Sequence, residues 1–366
     1  MSKPCWKAGA WPLARRRVLG LLLAAGLSPR LHAQAHAPQL LRPASAGIQN
    51  YLYFHQRGDA GAALRTEAAL QDPRFGGAQV AYPWRILERA PDHYDFSAIE
   101  ADLEYVESLG KKLWVQLQEK SFTPRVNVPA YLLKDPRYGG GVLRQSMASA
   151  PERDQSKPLG DDEYGWVPQM WLPAVRLRYQ ALLRALGKQF DGRIAGINFS
   201  ESSIDIGEEL PGGRMRYPKG FAPERYVQAL HENMQVLSRS FRKSVPMVYL
   251  NFLPDEWLPD DDRGYMRGLF AKAQALGMGV GGPDLTPYKK GPMGQSYPFF
   301  QAYPARLFKA MAVQSGNLRQ TNPKTGVAYT VPDLLDFARD YLGLDLVFWG
   351  IEDPAFQTTV LPQLPG

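Results

Sequence analysis

Residues Ile194 to Ser203 read Ile-Ala-Gly-Ile-Asn-Phe-Ser-Glu-Ser-Ser, a mostly apolar run rising into a polar cluster with one carboxylate, Glu201. The pattern fits a buried parallel strand whose C-terminal end carries a reactive group. Small hydroxyl neighbours leave such a carboxyl partly desolvated, which favours the protonated form that a general acid needs. Acid/base work of this kind needs a second carboxyl, and Glu119, Asp284, Glu352 and Asp353 each follow another apolar run. Taken singly, each is equally a salt-bridge partner or a helix cap.

Other chemistries have little to stand on. The histidines His32, His36, His55, His93 and His231 lack the paired spacing of a zinc site. Asp260-Asp261-Asp262 lacks the alternating ligands and glycine of a calcium loop and fits a helix start instead. Gly139-Gly140-Gly141 has no following Lys-Ser/Thr, and no Gly-x-Ser-x-Gly elbow occurs. No metal and no cofactor are expected.

The elements that would position Glu201 alternate between strand and helix. Strands are predicted at Gly47 to Phe54, Ala78 to Trp84, Lys112 to Gln118, the opening stretch, Pro246 to Phe252, Gly277 to Val280, Phe308 to Val313 and Leu344 to Trp349. Helical spacing falls at Ala60 to Gln71, Asp95 to Leu109, Leu172 to Phe190, Pro223 to Phe241, Asp262 to Leu276 and Pro332 to Leu342. Eight alternating units predict an α/β fold, a (β/α)8 TIM barrel, with reactive groups at the C-terminal ends of its strands. Long loops follow strands three and six. Glu119 to Met170 carries Phe122, Tyr131, Tyr138, Tyr164 and Trp166, and Asp284 to Arg306 carries Tyr288, Tyr297, Phe299, Phe300 and Tyr303. Aromatics on such loops suit a sugar cleft, where flat rings meet the C–H faces of pyranoses, and they serve equally to pack the loops down.

The amino-terminal segment reads as an address. Arg15, Arg16 and Arg17 precede an apolar run from Val18 to Leu27, and Ala33, Ala35 and Ala37 offer cleavage sites, so residues 1–37 are predicted to be a signal peptide of Sec or twin-arginine type. Residues 38–366 are then one domain, periplasmic or secreted. The chain is formally +7, but residues 1–36 hold six basic and no acidic residues, leaving 37 basic against 36 acidic. A near-neutral mature domain gives no reason to expect nucleic acid as a partner or stable membrane insertion. Cys5, the one cysteine, lies in the same segment, which excludes a disulfide or a thiol nucleophile from the mature chain.

Ala81-Tyr82-Pro83-Trp84-Arg85-Ile86-Leu87-Glu88, then Asp92-His93-Tyr94-Asp95-Phe96-Ser97 and Gly110-Lys111-Lys112-Leu113, resembles part of the clan A glycoside hydrolases of the β-galactosidase and cellulase kind. Those families carry Trp-x-x-Leu-Glu-Pro-x-x-Gly-x-Tyr-Asp-Phe across the second strand and its helix. Their usual proline is displaced here, in Arg89-Ala90-Pro91. The resemblance implies a carbohydrate substrate, a structural Glu88, and Glu201 as the acid/base, with Ser200 and Asn198 standing where an Asn-Glu pair is usual. It also implies a nucleophilic glutamate ending strand seven, where this chain has Gln314. The second carboxylate is therefore sought elsewhere on the rim. Glu352 is preferred, because Trp349 stands where the family carries a sugar-stacking tryptophan, and Asp284 follows closely. Trp84, Trp349, Asn198, Asn251 and Gln314 are expected to line the glycone site, with Tyr82 and Trp114 as weaker candidates, since a strand residue equally points into the core or the helix layer. The implied activity is glycosidic cleavage in a poly- or oligosaccharide. A catalytically silent glycan-binding barrel, or a transglycosylase or lyase on cell-surface polymer, stays open.

Overall fold

The computed structural model describes residues 47–55, 60–146, 163–211, 215–303, 307–314, 316–323, 325–352 and 354–365. The predicted signal segment and Asp353 lie outside the described residues. Eight strands close a barrel: β1 (Gln49–Phe54), β2 (Phe75–Pro83), β3 (Lys112–Gln118), β4 (Gly196–Glu201), β5 (Val245–Tyr249), β6 (Gly279–Gly282), β7 (Lys309–Val313) and β8 (Leu346–Gly350). Each pairs in parallel with its sequence neighbours, and β8 closes on β1, so the expected (β/α)8 barrel is the observed architecture. The outer layer holds α1 (Ala60–Thr66), α2 (Ser97–Ser108), α3 (Pro173–Phe190), α4 (Pro223–Ser240), α5 (Tyr265–Leu276), α6 (Tyr297–Ala302) and α7 (Val331–Phe337).

Local chemistry explains where these elements start and stop. Prolines open α3 and α4, where a missing N–H costs nothing, and the Thr330 and Asp333 side chains form a capping box at the start of α7. The sixth strand begins two residues later than the sequence pattern suggests. Gly277 is spent as the left-handed cap of α5, at φ 65°, and cannot open a strand. Gly343 likewise ends the last helical turn at φ 64°, which delays β8 to Leu346.

Two apolar layers result, one between barrel and helices and one inside the barrel. The interior fits large rings against glycines. A Cβ on Gly196 would lie 2.6 Å from the Trp114 ring, and one on Gly77 or Gly281 would lie 2.7 Å from Tyr51 or Tyr249. Polar groups inside are paired, as burial demands. Trp114 Nε1 and Gln79 Nε2 both donate to Asn198 Oδ1, at 2.8 and 3.0 Å, and Gln79 Nε2 also reaches the Tyr249 hydroxyl at 3.1 Å.

The long segment after β3 folds back as an antiparallel hairpin, Val142–Ser146 against Tyr164–Pro168. It lies on the strand ends: Ser121 bridges to Trp166, and Gly165 sits so close that a Cβ there would come 2.0 Å from the Ser121 carbonyl. Ser146 N–H donates to the Asp205 carbonyl at 2.8 Å, tying this wall to the loop after β4.

Candidate active site

Glu201 faces the barrel mouth because β4 is bulged. Asn198 pairs with Met247 and Glu201 with Tyr249, so three residues of β4 advance while two of β5 do. Met247 and Tyr249 both belong to the barrel interior. Strict alternation from Asn198 would turn the third residue outward; the extra residue brings Glu201 back to the inner face, the re-aiming that bulges perform near functional sites. Ser200 absorbs the extra residue and donates its hydroxyl to Glu119 Oε1 at 2.6 Å.

The half-buried Glu201 carboxylate is held in place from β5. Asn251 Nδ2 donates to Glu201 Oε2, while Asn251 Oδ1 accepts from Ser203 N–H at 2.9 Å and Ser202 Oγ at 3.2 Å. From β3, the 3% exposed Lys120 reaches beneath the same turn. Its ammonium donates to the Glu201 carbonyl, to the Ser203 carbonyl at 3.2 Å and to the Tyr226 hydroxyl at 3.1 Å. Burial alone would lower its pKa, but Tyr226, Glu119 and Glu201 outweigh it, and the pKa is raised. Sequence reasoning missed Lys120. Its one signal was a lysine directly after an apolar strand and a glutamate, a place where a solvated end is usual.

Across the mouth the observations converge on Tyr53, which is 2% exposed and donates to Gln116 Oε1 at 2.6 Å. Its pKa stands well above the ordinary value, through burial first, then Tyr249, then Glu352, with Glu201 adding to the rise against the Gln116 hydrogen bond. β4 and β8 lie on opposite sides of the closed ring. Glu201 at the end of β4 and the exposed Glu352 beyond β8 thus both oppose ionisation of this one buried hydroxyl. The His55 ring packs on Tyr53 at a centroid distance of 4.0 Å. Asp284, beyond β6, opposes ionisation of Tyr249, whose pKa burial has already raised.

Gln314 and Asp284 belong to one web. Gln314 Nε2 donates to the Pro283 carbonyl at 2.8 Å, Gln314 N–H donates to Asn317 Oδ1 at 2.7 Å, and Asn317 Nδ2 donates to Asp284 Oδ1 at 2.9 Å. Glu119 is 6% exposed and also accepts from Tyr179 of α3 at 3.3 Å, an arrangement of packing rather than of an open cleft.

The expected glycone lining is corrected at five positions. Trp84 packs at 5.1 Å from Tyr179 and donates to Glu88 Oε2 at 2.8 Å. Trp349 lies in the helix-side core, 1% exposed, with its indole N–H on Asn50 Oδ1 at 2.8 Å. Tyr82 points outward to Asp102 of α2, at 2.8 Å. Trp114 fills the barrel and stacks on Phe308, and Asn198 is fully buried beneath the mouth. None is placed to stack on or bond a ligand. Trp84, Trp349 and Tyr82 turn toward the helix layer: barrel strands are buried on both faces, so an apolar run does not say which side chains point inward. Trp114 and Asn198 point inward but lie too deep. Among the described residues, the exposed large rings are Phe122, after β3, Tyr288, after β6, and Trp257, which stacks on Phe252 after β5. Among the described residues, no group of three or more His, Cys, Asp or Glu could hold a metal ion, and no helix is long and apolar enough to cross a membrane.

The catalytic domain of a beta-amylase from Paenibacillus polymyxa is similar over 88% of this chain and 100% of that one, with TM-score 0.53 and 9% identity. A beta-galactosidase from Halorubrum lacusprofundi matches over 82% of this chain and 52% of that one, at TM-score 0.48 and 12% identity. Xylanase 10B from Thermotoga petrophila, in complex with xylobiose, matches over 83% and 82%, at TM-score 0.45 and 10% identity. No family model matches the chain, and no curated protein matches its sequence. The chain thus shares the barrel fold of that beta-amylase catalytic domain, at an identity that speaks to fold alone.

Proposed function

We propose that the protein is an exported glycoside hydrolase that cleaves a poly- or oligosaccharide at the mouth built around Glu201. Supporting this most is the placement of Glu201 at the end of β4, oriented by Asn251, with the exposed Glu352 beyond β8, the strand opposite β4 in the closed ring. Glu201 protonates the departing glycosidic oxygen. Glu352, ionised, either attacks the anomeric carbon or takes a proton from the attacking water; in both routes water supplies the hydroxyl that ends on the sugar. Asp284 is the alternative second carboxylate. Phe122, Phe252 and Trp257 are the rings offered for stacking. Arg15-Arg16-Arg17 and the apolar run after them support the reading of an exported, periplasmic or secreted enzyme.

A second reading has its own observation. Gln314 stands at the end of β7 as a neutral amide engaged with the Pro283 carbonyl, and this suits a barrel that binds glycans without cutting them. Reducing-end release from a panel of β- and α-linked polysaccharides separates the two. Release by the wild type, lost in Glu201→Gln, supports the hydrolase. Retained glycan binding with no release from any member of the panel supports the binder.

A further inference from the structure

Outside the mouth, the loop that carries Asp284 and the segment after β7 meet α7 around a groove of about 410 Å³, within the ~300–1,000 Å³ of small-ligand sites. Tyr288 stands over it with φ 58° and 42% exposure. A left-handed backbone costs a bulky residue roughly 1–3 kcal/mol, so the surroundings must hold this ring where it is. It meets Phe337 at 5.1 Å and 63°, while Tyr341 lies flat on Phe337 at 4.9 Å and 7°. Tyr329 is fixed by its hydroxyl on the Pro287 carbonyl at 2.9 Å. Beside Phe337 and Tyr341 on the same helical run, Asp336 and Asp340 accept from the Arg339 guanidinium at 2.6 and 2.7 Å, which fixes both carboxylates and offsets part of their charge. The helix ends here in a wide π turn, Ala338–Leu342, a distortion that is frequent at functional sites.

Rings that present apolar faces beside fixed, acceptor-only carboxylates suit a ligand with C–H faces and many hydroxyl donors. Tyr288 follows Asp284 by four residues, so their Cα atoms are at most ~14 Å apart. A glycan chain that leaves the mouth past Asp284 comes within that distance of Tyr288. We propose that the groove is a second glycan-binding site, holding a pyranose ring of a chain that extends beyond the mouth; this rests on the reading of the mouth as a glycan site.

The test is amide hydrogen exchange on the full-length Glu201→Gln protein with cellohexaose, maltohexaose and xylohexaose in turn. Slowed exchange both at the mouth, over residues 200–203 and 249–252, and at the groove, over residues 286–290 and 331–341, is the expected result for at least one probe. Tyr288→Gly removes the ring while suiting the left-handed backbone, so the fold is kept. It should abolish groove protection and weaken hexasaccharide affinity by about tenfold, the loss of an aromatic contact of roughly 1.4 kcal/mol. Protection at the mouth alone overturns the second site and leaves the proposed function standing. Protection at the groove alone supports the second site and counts against the mouth. Protection at neither overturns both, and groove protection that survives Tyr288→Gly overturns the assignment of the ring.

Discussion

The ends of β4 and β7 face the same mouth and are built for opposite ends. On β4, a bulge turns a carboxylate inward, Asn251 orients it, and Lys120 grips the backbone beneath it. On β7, an amide takes the corresponding place, and its hydrogen bonds stitch two loops together through Pro283 and Asn317. One rim positions a charge; the other closes a seam. If the mouth holds a working pair, its members lie on β4 and on a strand other than β7, and the strand opposite β4 in the ring is β8, beyond which Glu352 stands.

The largest effect should come from removing the oriented charge. Glu201→Gln keeps size and most hydrogen bonding, so turnover on the best polysaccharide should fall by ~10³, within the 10²–10⁴ of general acid catalysis, while the melting temperature barely moves. Initial rates and a thermal melt check this. If the rate holds, Glu201 has no part in the chemistry.

Lys120→Met tests whether the β4 rim depends on its buried cation. Removing it leaves the Glu201 and Ser203 carbonyls and nearby Glu119 without a counter-charge, for which breaking a buried pair suggests about 3–5 kcal/mol. Urea unfolding measures the cost, and a loss under about 1 kcal/mol would show that water replaces the ammonium. Trp349→Ala should cost a comparable 3–5 kcal/mol in the same experiment and leave glycan affinity unchanged, because the ring is in the helix-side core. A calorimetric loss of affinity without loss of stability would return it to the cleft. The smallest change is expected at the seam. Gln314→Glu sets an acceptor against the Pro283 carbonyl in place of a donor, at a cost of about 1–3 kcal/mol at neutral pH, and adds no turnover. A gain in rate would show that β7 lacks only its charge.

Much of the scaffold was legible because each unit has a local signature. Lys112 to Gln118 appears in the structure with the boundaries its pattern suggests, the helix predicted from Pro223 begins there, and the one predicted from Leu172 begins one residue later, at Pro173. Candidate site residues were legible only as polar groups at strand ends, where an apolar run gives way to Glu201, Asn251, Asp284, Gln314 or Glu352. Orientation was not. Trp349 and Trp114 sit in equally apolar strands, yet one faces the helices and the other the barrel axis. The bulge that aims Glu201 is likewise a property of pairing between β4 and β5, and no residue in either strand announces it. Lys120 was hidden for a similar reason, since its burial depends on Tyr226 of α4, 106 residues away.

The pairing of Glu201 with Glu352 is tested most directly by measuring kcat for Glu352→Gln and Asp284→Asn side by side on the same glycan. The account predicts a fall of about 10²-fold or more for Glu352→Gln and less than about fivefold for Asp284→Asn. The reverse order would contradict it and move the second carboxylate to β6.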